Sequence, residues 1–238
     1  MFDRTSRTRK AETMVRVLGE FIKAAPGELS VLNVGGSAGI IDNHLARHFG
    51  RVVGIDIDAD AIAFARSQHQ RGNLEFRIGD ALNLDFPDDA FDIVICSQVY
   101  EHVPDAARMM AEIFRVLKPA GVCYFAASNR LMWNEPHYNL PLLSVLPRPL
   151  AHLYVRLAGR ASHYHELHYS YWGLRRLVAR FILHDYTRRM VQDPERFGVS
   201  YMVPSGGLKG GLVRFMAACL YWMFPGYIWL LQKPSQPE

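Results

Sequence analysis

Three segments combine glycines or carboxylates with the ends of predicted strands, the pattern of a nucleotide-like ligand site. VLNVGGSAG at 31–39 places a strand before a glycine-rich turn and a helix, so that the backbone can approach the ligand closely. Asp56 ends the next strand in GIDID, where a carboxylate can accept both hydroxyls of a ribose. Asp80 ends a third strand in RIGDA. Their consistent spacing predicts that all three segments bind one ligand.

Each segment also has a purely structural interpretation. A glycine-rich turn can simply pack a helix against a sheet, and an acid at a strand end can cap the following helix. The turn is informative because of its position between a strand and a helix, and because Asp56 and Asp80 follow at the next two strand ends.

The elements that position these residues alternate between strand and helix, which predicts a parallel sheet covered by helices. Pro104 is expected to open the helix that leads to the fifth strand. After residue 129 the alternation stops, and 129–170 is interpreted as an insertion. The predicted strands are 31–34, 52–55, 74–78, 91–96, 122–127, 181–187 and 227–231, and the predicted helices are 12–25, 40–49, 60–69, 104–117, 172–180 and 208–224.

Composition indicates one folded domain over residues 1–238, since 50% of the residues are hydrophobic and 21% charged. The three cysteines are far apart and two lie in predicted strands, so a reducing, cytoplasmic location is expected. The first ten residues resemble a short basic arm and not a secretory signal. Residues 212–231 approach the apolar length of a membrane span, but Arg214 and Pro225-Gly226 interrupt them, so spanning is not favoured.

Charge is divided unevenly along the chain. Residues 1–129 hold 14 Lys/Arg against 17 Asp/Glu, whereas residues 130–238 hold 13 against 6. The basic half is expected to meet an anionic acceptor or an anionic membrane surface. An ordinary solvated basic face is the alternative.

Beyond these segments, FDIVICSQVYEHVPD at 91–105 and RVLKPAGVCYF at 115–125 complete a resemblance to the class I S-adenosylmethionine (SAM) dependent methyltransferases. The similarity is to the type 11 group, which includes the ubiquinone-biosynthesis methyltransferases, and it covers about residues 28–128. It implies a Rossmann-like α/β fold with helices on both faces of a seven-stranded, mostly parallel sheet. The last strand would be antiparallel, with WLLQKP at the final edge, and the insertion at 129–170 would form a cap.

The resemblance implies SAM as cofactor. The glycine turn would line its methionine part, Asp56 its ribose, and Asp80 with Ala81 its adenine, while Ser97 and Gln98 would lie beside the transferable methyl. The predicted cofactor residues are Asn33, Gly35, Gly36, Ser37, Gly39, Asp56, Ile57, Asp80, Ala81, Ser97 and Gln98.

Two positions depart from the family pattern. Asn33 stands where the family usually has an acid, and Ser37 where it has a second glycine. Weaker or reshaped SAM binding is therefore expected, and a catalytically inactive interaction or assembly module is the alternative. Ser37 and Ile40 disfavour a dinucleotide oxidoreductase, which would have glycines there. A nucleic-acid methyltransferase is also disfavoured, because no recognition module is present.

Methyl transfer from a sulfonium is an in-line displacement that requires alignment and exclusion of water. His102 is the candidate base for a hydroxyl acceptor, although it can equally pack at the helix start. A metal site is not expected, since His163, Glu166 and His168 fit no strong metal signature.

The insertion directly follows the fifth strand, at the edge where open α/β sheets bind ligands. Its many leucines and prolines predict a hydrophobic or lipid-linked acceptor reached from a membrane surface, although a small soluble acceptor is also compatible. The predicted acceptor residues are Asn129, Trp133, His137 and Tyr138.

Overall fold

A seven-stranded sheet forms the centre of the fold in the computed structural model, which describes residues 4–204 and 206–235. Strands β6 and β7 form a separate hairpin within the insertion. The strands are β1 (Ser30–Val34), β2 (Arg51–Asp56), β3 (Leu74–Ile78), β4 (Phe91–Ser97), β5 (Leu117–Ser128), β6 (Asn134–Glu135), β7 (Leu140–Pro141), β8 (Ile182–Asp185) and β9 (Gly226–Gln232).

Eight α-helices are assigned in the described ranges, together with 3₁₀ turns at Pro26–Glu28, Leu143–Val145 and Tyr221–Met223. The helices are α1 (Arg4–Phe21), α2 (Ile40–Leu45), α3 (Ala59–Gln68), α4 (Ala106–Val116), α5 (Arg148–Leu157), α6 (Tyr171–Leu177), α7 (Tyr186–Gln192) and α8 (Gly207–Cys219).

The strand order is β3-β2-β1-β4-β5-β9-β8, and β9 runs antiparallel to both of its neighbours. This confirms the predicted mostly parallel sheet with an antiparallel last strand. The prediction that WLLQKP forms the sheet edge is wrong, because β9 lies between β5 and β8. Trp229, Leu230 and Leu231 are fully buried and need a strand on each side, whereas β8 is short and partly exposed, as an edge strand usually is.

Helices cover both faces of the sheet, as predicted. Successive residues of β1 point to opposite faces, so that Leu32 packs against α4 and α6, whereas Val31 packs against α1 and α7. The carboxyl ends of β1, β2, β3 and β4 meet at one edge.

Several predicted boundaries differ from the structure. The basic segment interpreted as an arm is helical from Arg4, because α1 continues through it; residues 1–3 lie outside the described residues. Helices α5 and α7 were not predicted, and the predicted 40–49 and 208–224 helices end early at Leu45 and Cys219. Tertiary packing decides these short segments more than local pattern does. In the described part of the chain, no helix has the length and apolarity needed to cross a membrane.

Candidate functional site

A cavity of about 550 Å³ opens at the carboxyl edge of β1, β2, β3 and β4. It collects most of the residues predicted to bind the cofactor, although they lie on four separate strand ends. The predicted residues that line it are Gly35, Ser37, Asp56, Ile57, Asp80, Ala81, Ser97, Gln98, His102 and His137.

Two glycines of the glycine turn have different surroundings: Gly35 lines the cavity, whereas Gly39 lies between α2 and β3. Gly35 lines the cavity at φ 74°, and a Cβ there would lie 2.7 Å from Val99 Cγ2. Gly39, at φ 71°, does not line it, and its Cβ would lie 2.6 Å from Phe76 Cζ. Gly39 therefore lets α2 pack closely against β3. Gly36 does not line the cavity either, and its N–H donates a hydrogen bond to Ile55 O at 2.8 Å.

Asp56 connects the glycine turn to the end of β2. Its Oδ2 accepts a hydrogen bond from Ser37 N at 2.8 Å, and its Oδ1 accepts one from Asp58 N at 3.0 Å. The next residue, Ile57, lines the cavity with 74% of its surface exposed. An exposed branched side chain beside a fixed carboxylate provides a surface on which a planar ring can pack.

Asn33 lies behind the glycine turn, buried and outside the cavity lining. The fully buried carboxyl of Asp42, which the sequence analysis did not identify, lies on the same side of the turn: a Cβ at Gly36 would be 3.0 Å from Asp42 Oδ2 and 3.5 Å from Asn33 Nδ2. Burial raises the pKa of Asp42 to about 7, an effect that the neighbouring Asn33 amide opposes. A carboxyl group, that of Asp42, therefore lies beside position 33, where the family usually has an acid.

Asp80 follows β3 at the other side of the cavity. Its Oδ1 accepts a hydrogen bond from Leu82 N at 2.8 Å, which shapes the turn that also presents Ala81 to the cavity. Two cationic side chains that the sequence analysis did not identify, Arg7 and Lys10 of α1, also line it. In the sequence, Arg7 and Lys10 are only part of a basic segment. They reach the cavity because α1 runs past this edge of the sheet.

Residues 32–125 match a family described as a methyltransferase domain. The match covers less than half of the chain, and within it the chain resembles the class I SAM-dependent methyltransferases. Among proteins with similar sequences, a "probable S-adenosylmethionine-dependent methyltransferase" of Mycolicibacterium smegmatis is 35% identical over 112 residues, which is 47% of this chain and 42% of that protein. A ubiquinone biosynthesis O-methyltransferase of Coxiella burnetii is 33% identical over 102 residues, 42% of this chain and 44% of that protein. The alignments thus span less than half of these relatives.

A solved SAM-dependent methyltransferase from Methanosarcina mazei shares the fold over nearly the whole chain. It superposes with a TM-score of 0.59 over 92% of this chain and 98% of that one, at 20% identity. This similarity extends well beyond residues 32–125, over which the sequence matches the family. At this identity it shows the fold alone.

The cavity fits SAM, the cofactor that these relatives imply. Its volume lies in the range of roughly 300–1,000 Å³ typical of small-molecule sites. Gly35, Asp56 and Asp80, which the resemblance assigns to the methionine part, the ribose and the adenine of SAM, all line it. The individual contacts of the eleven predicted cofactor residues stay predictions.

Gln98 separates this cavity from a second one. It has a left-handed backbone at φ 58°, which is uncommon for a residue with a side chain and often marks a functional site. Its N–H donates to Ala126 O at 2.9 Å, and its Oε1 accepts from Ser128 Oγ at 2.6 Å. Two hydrogen bonds to β5 therefore hold Gln98 in this conformation.

The second cavity, of about 340 Å³, shares Ser97, Gln98 and Lys10 with the first. It lies between the sheet, α1 and α7, and its walls are mostly apolar. They include Met14, Ala126, Met190, Val191, Val203 and Ile228. A hydrophobic molecule in this space would lie directly beside the predicted methyl position.

His102 and His137 lie side by side at the mouth of the cofactor cavity, with ring centroids 4.8 Å apart. Burial, then the charge of His137, lowers the pKa of His102. The Glu135 carboxylate, whose Oε1 lies 2.5 Å from His137 Nδ1, raises the pKa of His137. His102 lines the first cavity but not the second. Its role as a base stays a prediction.

The other three predicted acceptor residues line neither cavity. Trp133 is 71% exposed, and Tyr138 packs its ring on Tyr164 with centroids 5.4 Å apart. Asn129 is fully buried, and its Nδ2 lies within 3.0 Å of Trp222 O, Phe224 O and Tyr227 Oη. Their predicted contact with the acceptor stays a prediction.

We expect Asn129→Ala to destabilise the fold without affecting the cofactor. The substitution leaves buried oxygens at Trp222, Phe224 and Tyr227 without their donor, which costs about 1–3 kcal/mol of unfolding free energy. Urea unfolding followed by circular dichroism measures this loss, and calorimetry measures SAM affinity. A large loss of SAM affinity with unchanged stability would contradict the structural role.

Proposed function

We propose that this chain transfers the methyl group of SAM to a small hydrophobic acceptor by in-line displacement. The observation that carries the proposal is the apolar cavity that joins the cofactor cavity at Ser97, Gln98 and Lys10. In-line displacement places the acceptor atom opposite the leaving sulfur, so the reaction needs two spaces that meet at the methyl. The two cavities are adjacent, since Ser97 and Gln98 line both, and this adjacency supports the proposal.

SAM, when bound, supplies an electrophilic methyl on a sulfonium. The protein's contribution is then to bind, align and exclude water. Asp56, Ile57 and Asp80 would hold the nucleoside end, and the Gly35 turn the methionine end. Lys10 lines both cavities and would attract a polar or anionic group of the acceptor to the junction.

The alternative of a catalytically inactive interaction module is less well supported. Decay of the site would be expected to fill one of the two cavities or to lose Asp56, Asp80 or Gln98. All three side chains line the cofactor cavity. Asn33 does not touch it, and Ser37 presents its backbone N–H to Asp56 just as a glycine would.

Filling the apolar cavity should block the acceptor and spare the cofactor. Val203 is half-buried on the cavity wall, so Val203→Phe can enter the space without overpacking the core. With SAM and a panel of apolar phenols, alcohols and amines as acceptors, production of S-adenosylhomocysteine identifies those that react. We expect kcat/KM for such acceptors to fall by at least about tenfold in Val203→Phe, with SAM affinity within twofold.

Val145→Phe is the matched control, since Val145 is exposed in the insertion and lines neither cavity. Equal rates in all three proteins would place the acceptor elsewhere. If no acceptor in the panel reacts and SAM does not bind, the methyltransferase proposal fails and the interaction module becomes the better account.

We further infer that the acceptor is reached at a lipid surface, an inference supported by one face of α8. Leu208, Leu212 and Phe215 follow helical spacing and are 95%, 59% and 54% exposed. Lys209 and Arg214 on the same helix supply the positive charge that anionic lipids attract.

Vesicles of equal parts phosphatidylglycerol and phosphatidylcholine test this contact by co-sedimentation at low salt. We expect the protein to bind, and the double substitution Leu208→Ser, Phe215→Ser to weaken partitioning by about tenfold or more, because two apolar side chains no longer enter the interface. Leu157→Ser is the control, since Leu157 is 79% exposed on α5 instead. Absence of binding by the unaltered protein would end the membrane hypothesis.

A further inference from the structure

A cluster of histidines and glutamates lies under the β6–β7 hairpin, at the mouth of the cofactor cavity. One ligand atom from each of Glu135, His137 and His168 lies within 4.8 Å of the others. Glu135 Oε1 is 2.5 Å from His137 Nδ1 and 3.5 Å from His168 Nε2. In the sequence, His168 stands close to His163 and Glu166. In the structure, its neighbours in the cluster are Glu135 and His137, which lie about thirty residues earlier in the chain.

Within the cluster, His137 is exposed at the cavity mouth, whereas the side chains of Glu135 and His168 are buried. The His168 side chain is 1% exposed, its Nδ1 has no hydrogen-bond partner among the described residues, and its Nε2 is too far from Glu135 for a strong bond. Glu101, also fully buried, has no hydrogen bond to either carboxylate oxygen in the described part of the chain. Burying such groups without partners costs free energy, so their retention here requires a compensating interaction.

The carboxyl groups around the cluster favour the binding of a cation. Glu101 and Glu135 are both fully buried carboxyl groups, and the nearby Glu166 Oε1 lies 4.0 Å from His102 Nδ1. A divalent cation would compensate the carboxylates and would bind His168 Nε2, which has no hydrogen bond among the described residues.

We propose that Glu135, His137 and His168 form a binding site for a divalent transition-metal ion such as Zn²⁺. Two imidazoles and one carboxylate are a known three-ligand set that leaves a fourth position open. Donors about 2.0–2.1 Å from a tetrahedral ion lie roughly 3.4 Å apart, close to the 3.5 Å between His168 and Glu135. The Glu135–His137 pair has to open by about 1 Å to admit the ion.

The open position would face the cofactor cavity, since His137 lines that cavity and contacts His102. Glu101 lies next to the site, since its backbone O accepts a hydrogen bond at 2.9 Å from the N–H of Leu167, the neighbour of His168. Metal binding does not require SAM or an acceptor, and the site is therefore independent of the proposed methyl transfer.

The test uses the full chain, stripped with EDTA and dialysed against Zn²⁺ or Co²⁺ in the absence of SAM. Mass spectrometry of the metal content and the visible absorption of Co²⁺ report stoichiometry and ligand geometry. We expect one ion per chain with a tetrahedral Co²⁺ spectrum. His168→Gln and Glu135→Gln should each weaken binding by more than about 100-fold, because loss of a direct ligand exceeds the roughly 10–100-fold effect of outer partners.

His163→Gln is the matched control, because His163 is an exposed histidine of the same cap whose ring lies 5.3 Å from that of His152. Binding that His163→Gln removes and His168→Gln does not would assign the ion to surface histidines and overturn the proposal, as would the absence of stoichiometric binding. Near-UV circular dichroism and SAM calorimetry of each variant separate loss of the metal from loss of the fold. A protein that binds metal but not SAM would refute only the proposed function.

Discussion

Asp56→Ala is expected to lower the affinity for SAM by at least about 100-fold. The Asp56 carboxylate accepts hydrogen bonds from Ser37 N and Asp58 N, and so fixes the glycine turn relative to β2. The resemblance also assigns it the ribose hydroxyls. Hydrogen bonds to a charged group contribute about 1.5–3 kcal/mol each, and two of them correspond to a hundredfold or more in binding.

Isothermal titration with SAM and S-adenosylhomocysteine measures this effect. Asp58→Ala is the control: Asp58 is also an acid in GIDID, but it caps α3 by accepting hydrogen bonds from Asp60 N and Ala61 N. We expect it to lose about 1 kcal/mol of stability and little affinity. Equal losses of affinity in both variants would mean that Asp56 acts only through local structure.

The cofactor half of the site was predictable because its residues follow strand ends. Asp56 and Asp80 each end a strand of a parallel sheet, and parallel strands present their carboxyl ends at one edge whatever the rest of the chain does. Gly35 follows β1 in the same way, so a local pattern of strand, turn and helix was sufficient for these three residues. Ser97 and Gln98 were expected only from the family resemblance.

The acceptor side was not predictable in this way. Asn129 follows β5 directly, yet its side chain is directed into the core, where it binds the backbone before β9 almost a hundred residues later. Arg7 and Lys10 reach the cavity because α1 crosses the sheet edge, which no local pattern shows. Glu135 lies in the β6–β7 hairpin, and its Oε1 is 3.5 Å from Nε2 of His168, more than thirty residues later in the chain. These contacts depend on long-range packing.

Gly35→Ala is expected to disrupt the cofactor cavity without changing charge or polarity. Gly35 has φ 74°, a conformation that costs a residue with a Cβ about 1–2 kcal/mol. The new methyl would also lie 2.7 Å from Val99 Cγ2, and Val99 itself lines the cavity. Relief of the contact moves either the turn or Val99 into the space that SAM needs. We expect the free energy of unfolding to fall by about 1–3 kcal/mol and SAM affinity to fall at least tenfold.

Gly72→Ala adds the same methyl group where it meets nothing within 4 Å, and Gly72 has no positive φ. That variant should keep its SAM affinity and remain as stable as the unaltered protein or gain a few tenths of a kcal/mol, because alanine restricts the unfolded chain. Urea unfolding and calorimetry on the pair separate the two effects at Gly35. If Gly35→Ala is destabilised but binds SAM normally, the glycine serves only the turn, and the methionine end of the cofactor must lie away from it. If it loses SAM affinity by far more than its stability changes, close approach of the backbone to the ligand is the reason for glycine at this position.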